Sequence, residues 1–174
     1  MEVLANVLKE STIDSLLSVA DNFLSGNSDK HKVWTNSAWD PRLVLDSGTV
    51  ICVAVPDNLI LEIEEALVNA ELFDRSLYAP LAEAKNVAIN IWPKGSYIGP
   101  HRDSGHAQAI SVYLNKDWDL SDGGLFCYTT GEDITCVVPK YNTGARNTDG
   151  DLHFTTPVIS NKLRISLQIF ASYR

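Results

Sequence analysis

The sequence is short of cysteine, of basic side chains and of long apolar runs. Three cysteines, Cys52, Cys127 and Cys136, occur in 174 residues, with no CxxC spacing. An odd, scattered set argues against a disulfide framework and predicts a reducing compartment. Lys and Arg number 14 against 22 Asp and Glu, a formal net charge of −8. Phosphates repel such a chain, so binding to a nucleic-acid backbone is not expected. The longest apolar run, Val50 to Pro56, is far too short to span a bilayer. Met1-Glu2-Val3-Leu4 has neither a basic stretch nor a long apolar one, so a secretory signal is not expected either. These absences predict a soluble, cytoplasmic protein; the sequence shows no internal repeat and no low-complexity segment.

What is present suits a globular domain. Hydrophobic residues make up 45% and charged residues 21%, enough to bury a core in a single domain spanning 1–174. The acidic excess lies wholly within 1–85, and 86–174 is electrically balanced. Ser11 to Ser25 carries Ile13, Leu16, Leu17, Ala20, Phe23 and Leu24 at helical spacing, with Ser11 as N-cap and Gly26 as stop. Residues 26–41 are polar, a loop pinned by Trp34 and Trp39. Thr49 to Val55 predicts a buried strand, and Leu59 to Leu72 a second helix with Glu62, Glu64 and Glu65 on a solvated face.

From residue 86 the period changes to two. Asn86–Trp92, Ala109–Leu114, Leu125–Thr129 and Ile134–Val138 alternate, as does Leu163 to Phe170. In the last, Leu163, Ile165, Leu167 and Ile169 face one way, and Arg164, Ser166, Gln168 and Phe170 the other. Many short strands separated by Gly, Asn and Asp predict a sandwich, barrel or jelly roll. Cys127 and Cys136 fall in strands and are expected to pack as small hydrophobes. Lys116 to Asp119 is expected to form a turn with a buried Trp118 indole.

His101-Arg102-Asp103 is the first chemical candidate, because residues two apart on a strand project to one side. Alone it is equally a surface His beside a turn Asp. His153 lies in a short extended stretch, Leu152 to Thr155, and Arg164 stands with Ser166 on the polar side of the final strand. Two imidazoles and one carboxylate on one face of a metal leave three positions open, as in non-haem Fe(II) oxygenases. An arginine beside them suits the far carboxylate of a bidentate 2-oxo acid. An internal ion pair is the other reading of Arg164. His106 is a rival ligand, and His31 belongs to the polar loop.

The stretch from about Asn86 to Tyr173 resembles the Fe(II)/2-oxoglutarate-dependent dioxygenases, most closely the prolyl-4-hydroxylase-like group. The likeness runs through Asn90-Ile91-Trp92-Pro93-Lys94-Gly95, His101-Arg102-Asp103, Tyr113-Leu114-Asn115, Trp118 and Gly123-Gly124-Leu125. It continues through Val138-Pro139, His153, Pro157-Val158 and Arg164-Ile165-Ser166. It implies a mainly β (α+β) fold, a double-stranded β-helix (jelly roll) core at 86–174 buttressed by the N-terminal helices of 1–85. It implies Fe(II) on His101, Asp103 and His153, with O2 and 2-oxoglutarate as cosubstrates and ascorbate as a reductant. It implies that Arg164 grips the distal carboxylate of 2-oxoglutarate, with Tyr113 donating to it and Ser166, Asn90 and Trp92 nearby.

Two departures stand out. Trp92 occupies a place where the group often has tyrosine, and indole N–H donates but cannot accept. The segment 140–150, just before His153, is polar where the group commonly has an apolar strand, and reads as a mobile loop or lid or as a plain surface connection. A complete triad with Asp103 favours hydroxylation over halogenation. The implied substrate is a prolyl residue in a peptide or protein. A free amino acid or other small molecule is the alternative, with a repair demethylase of alkylated nucleic acid ranked below both. A non-catalytic metal-binding jelly roll and a zinc hydrolase are further alternatives. The oligomeric state has no signature in the sequence.

Overall fold

The computed structural model describes residues 2–26, 33–34, 50–84, 86–103, 107–148 and 150–174. Among the described residues eleven strands and two α-helices follow in order: β1 Glu2–Ala5, α1 Glu10–Leu24, β2 Val33–Trp34, β3 Ile51–Ala54, α2 Asp57–Asn69, β4 Asn86–Trp92 and β5 Ile98–His101. Then come β6 Gln108–Tyr113, β7 Phe126–Thr130, β8 Asp133–Val137, β9 Thr143–Thr148, β10 His153–Thr155 and β11 Arg164–Ala171. A 7-stranded sheet has the order β1-β9-β6-β11-β4-β3-β2, and a 4-stranded sheet the order β5-β10-β7-β8. Every pairing between the named strands is antiparallel. The result is the double-stranded β-helix expected from the sequence, with both helices packed on the larger sheet.

Alternation explains how one strand serves two environments. Ile89 and Ile91 of β4, with Ile165, Leu167 and Ile169 of β11, pack against Ile13, Leu16, Ile63 and Leu67 of the helices. Burying each such side chain stabilises the fold by about 1.5–3 kcal/mol. The opposite faces, Ala88, Asn90 and Trp92 on β4 and Arg164, Ser166, Gln168 and Phe170 on β11, turn toward the smaller sheet. Register places Trp92 opposite Arg164 and Asn90 opposite Ser166, with Tyr113 of β6 on the other side of Ser166.

Several local expectations need correction. α1 starts at Glu10 with Lys9 as N-cap and no side-chain cap, so Ser11 lies inside the helix. Leu24 is exposed, while Val19 joins the buried stripe. α2 covers Asp57–Asn69, because Pro56 sets the extended entry and the chain turns at Ala70. Glu64 is not on a solvated face: it is 5% exposed, pairs with Arg75 at 2.7 Å and accepts from the Leu81 N–H at 2.7 Å. The chain after α2 folds back over it and supplies both donors.

Cys127 and Cys136 do not pack as separate hydrophobes. They are direct cross-strand partners on β7 and β8 and form a disulfide, and the buried Cys52 takes no part in it. Cysteine usage therefore no longer supports a reducing compartment. Among the described residues no helix is long and apolar enough to cross a membrane. Trp118 is buried as expected, its indole N–H donating to the Gly123 carbonyl at 2.9 Å.

The polar segment before His153 is not a lid. Thr143–Thr148 is strand β9, paired with β1 on one side and β6 on the other. Small residues permit this: Gly144 faces Leu72 and Val7, where an added Cβ would lie 2.6 Å from a Leu72 methyl. Val33–Trp34 forms a short strand against β3. The rest of the expected 26–41 loop beyond Gly26, with Trp39 and His31, lies outside the described residues, as does His106.

Candidate metal centre and anion pocket

His101 ends β5, and Asp103 follows it in irregular backbone. His153 opens β10, which pairs with β5 so that His153 lies directly opposite His101. The imidazole centroids are 4.3 Å apart. One donor atom from each of His101, Asp103 and His153 lies within 4.8 Å of the others.

The Nδ1 atom of each histidine is 2.8 Å from a backbone carbonyl, Gly99 for His101 and Asp151 for His153. Only a protonated Nδ1 can donate there, so the neutral ring leaves the Nε2 lone pair free. The two Nε2 atoms point at the Asp103 carboxylate, 3.5 Å from Oδ1 and 3.4 Å from Oδ2. These separations are too long for charge-assisted hydrogen bonds, which run at about 2.7–2.9 Å. Two neutral nitrogen donors and a carboxylate suit a divalent transition metal, with nitrogen-tethering carbonyls that fix ring orientation.

The protonation tendencies of His153 and Asp103 agree with this donor set, whereas that of His101 runs the other way in the metal-free protein. Burial holds the His153 pKa below its ordinary value, favouring the neutral ligand form. Burial acts the same way on His101, but the paired Asp103 carboxylate and the Gly99 carbonyl outweigh it and raise its pKa. Burial would raise the Asp103 pKa; its two histidines and Asn147 overcome that and lower it.

Arg164 faces the same space from β11. It is 2% exposed, and among the described residues no carboxylate pairs with it. Among the described residues its Nε and Nη1 have no hydrogen-bond partner, nor do the Tyr113 hydroxyl, the Trp92 indole N–H or the Asn90 side-chain amide, all of them buried. The guanidinium carbon lies 4.8 Å from the centre of the Trp92 ring system and 5.2 Å from that of Tyr113. Burial pushes the Tyr113 phenol up to about 12, against the pull of the Arg164 charge. Burial pulls Arg164 down, opposed by Tyr113. Gly124 makes the approach possible: at φ +60° an added Cβ would sit 2.8 Å from Arg164 Cδ.

A buried cation that meets no counter-ion among the described residues is costly unless an anion completes it. A dianionic 2-oxo acid fits the donors present, and His101, Asp103 and His153 fit a metal that would hold its other end. Trp92, His101, Asp103, His153 and Arg164 all line one pocket, together with Ser111, Asn147, Gln168 and Phe170. The buried Ser166 and Asn90 share the inner face of the larger sheet with Arg164. Nothing in the local sequence pattern marks Asn147, Gln168 or Ser111 as site residues. Gln168 was visible on the polar face of its strand; Asn147 was hidden in a segment with no strand signature.

No family model matches the chain, and no curated protein matches it. Solved structures do. A prolyl-4-hydroxylase from Pseudomonas putida aligns with a TM-score of 0.65 at 14% identity, covering 99% of this chain and 92% of that one. A prolyl hydroxylase from Trichoplax adhaerens, in complex with a hypoxia inducible factor oxygen degradation domain peptide fragment, aligns with a TM-score of 0.70 at 14% identity over 98% and 82%. HygX from Streptomyces hygroscopicus, with nickel, 2-oxoglutarate and hygromycin B bound, aligns with a TM-score of 0.63 at 11% identity over 98% and 81%. The fold is shared with these prolyl hydroxylase structures.

Proposed function

We propose that this protein is an Fe(II)/2-oxoglutarate-dependent dioxygenase that hydroxylates an unactivated C–H bond, with a prolyl residue of a peptide or protein as the substrate. The overall change converts R–H, O2 and 2-oxoglutarate into R–OH, succinate and CO2. The observation that carries this reading is Arg164, a buried cation with unpartnered donors in a pocket that also holds the His101, Asp103 and His153 donor set. A metal-binding jelly roll without turnover, or a zinc hydrolase, has no use for that cation.

His101, Asp103 and His153 would hold the iron, which when bound supplies dioxygen activation and the oxidative decarboxylation of 2-oxoglutarate. Arg164 binds the distal carboxylate through its planar fork, and the Tyr113 hydroxyl donates to the same group. Trp92 stacks on the guanidinium and offers an indole donor in place of a phenol. Ser166 and Asn90 complete the polar floor. Burial of these groups excludes water, which strengthens their grip on a dianion. Ascorbate would serve as an external reductant.

The peptide substrate is supported by likeness to a prolyl hydroxylase crystallised with a peptide fragment. The decisive experiment is succinate release with Fe(II), 2-oxoglutarate and O2, screened over proline-containing peptides and free amino acids. Peptide-stimulated succinate that disappears in Arg164→Ala supports the reading. Stimulation by a free amino acid alone moves the substrate to the small-molecule class. A folded, metal-loaded protein that binds no 2-oxoglutarate defeats the proposal.

A further inference from the structure

Asn147 plays no part in the reading above. It lies near the end of β9 and is 4% exposed. Alternation on β9 turns Asn147 and Ala145 into the space between the sheets. Arg146 and Gly144 face the other way, Arg146 to Glu2 and Gly144 to Val7 and Leu72. Across the gap, Asn147 Nδ2 lies 3.2 Å from Asp103 Oδ2. The amide orientation follows from chemistry, since an ionised carboxylate only accepts and nitrogen must face it.

Asp103 needs such a partner. His101 and His153 stand on paired strands of the smaller sheet, whereas Asp103 lies past the end of β5. Its two oxygens are split between neighbours: Oδ1 faces His101, while Oδ2 faces both His153 and Asn147. Through Asn147 the larger sheet, which carries Arg164, is tied to the ligand cluster on the smaller one.

We infer that Asn147 is a positioning residue for Asp103, an assignment that rests on the metal-centre reading. Its N–H engages Oδ2 and fixes the carboxylate's rotation before metal arrives. A carboxylate held in this way favours binding through one oxygen, and the positions needed by a 2-oxo acid and dioxygen stay open. The expected penalty for losing such an outer partner is about 10–100-fold in metal affinity.

The test uses the full chain, metal-free, with Co(II) added under anaerobic conditions. Wild type, Asn147→Ala, Asn147→Ser and His153→Ala are compared by calorimetry, visible absorption and the thermal midpoint of the metal-free protein. Serine is too short to reach Asp103 and guards against misfolding of the alanine variant. The expected result is Co(II) binding about 10–100-fold weaker in both Asn147 variants, with an altered ligand-field band in protein that is still folded at the assay temperature. Wild-type affinity and band in either folded variant would overturn the inference, as would a lowered midpoint with affinity retained. If wild type itself binds no Co(II), the metal-centre reading fails and this one with it. If His153→Ala loses binding while the Asn147 variants keep it, only the role of Asn147 fails.

Discussion

Trp92 and Arg164 are direct cross-strand partners on β4 and β11, and the guanidinium carbon lies 4.8 Å from the centre of the indole ring system. A desolvated cation–π contact of this kind is worth about 2 kcal/mol. Trp92→Leu is therefore expected to weaken 2-oxoglutarate binding by roughly tenfold or more, with Co(II) affinity unchanged. Arg164→Lys keeps the charge but loses the fork, and should weaken it further. Titrating 2-oxoglutarate into the Co(II)-loaded proteins checks both; equal affinities in all three would refute the anion-pocket assignment.

Metal should stabilise the fold. A ligand held only by the native state adds about 2.7 kcal/mol at a concentration 100 times its Kd. Fe(II), or Co(II) as a redox-inert substitute, is expected to raise the thermal midpoint, and a chelator to reverse the rise. His153→Ala and Asp103→Ala should show neither effect in differential scanning calorimetry.

The two histidines predict opposite pH effects in the metal-free protein. The His101 pKa is raised, so it adds stability that is fully present below its unfolded value and is lost as pH rises through the folded one. The His153 pKa is lowered by burial, so the unfolded chain takes its proton first and stability is lost as pH falls. From roughly pH 8 down to pH 5, around the reference histidine value, His153→Gln should gain midpoint relative to wild type. His101→Gln should lose it. Parallel midpoint profiles, recorded with chelator, would count against both assignments.

Glu64 and Glu65 adjoin on α2 but should respond differently. Glu64→Ala strands the Leu81 N–H and removes the Arg75 partner, costing about 1–3 kcal/mol. Glu65 is exposed, so its alanine variant should stay within about 0.5 kcal/mol of wild type. Urea unfolding measures the difference.

The disulfide makes a direct prediction. Denatured protein that has seen no reductant should show one titratable thiol, Cys52, and three after reduction. Three thiols before reduction would show that Cys127 and Cys136 stay apart in solution.

Alternation belongs to a single strand, so the sequence alone determined much of the sheet that carries the pocket. The bounds of β4 and the inward face of β11, with Arg164, Ser166, Gln168 and Phe170 in line, are read directly from a period of two. His101 and Asp103, two residues apart, were legible as a pair. Contacts between distant segments were not. His153 meets His101 because β10 pairs with β5 in a particular register, and register depends on the partner strand. β9 has no apolar run because Gly144 and Ala145 fit between neighbours that supply the bulk, so Asn147 was concealed in what reads as a loop. Glu64 resembles its solvated neighbours until Arg75 and the Leu81 N–H fold over it. Cys127 and Cys136 become partners only when β7 and β8 lie side by side. Local pattern decides which face a side chain takes; tertiary packing decides what it meets there, because burial and pairing are properties of two segments rather than one.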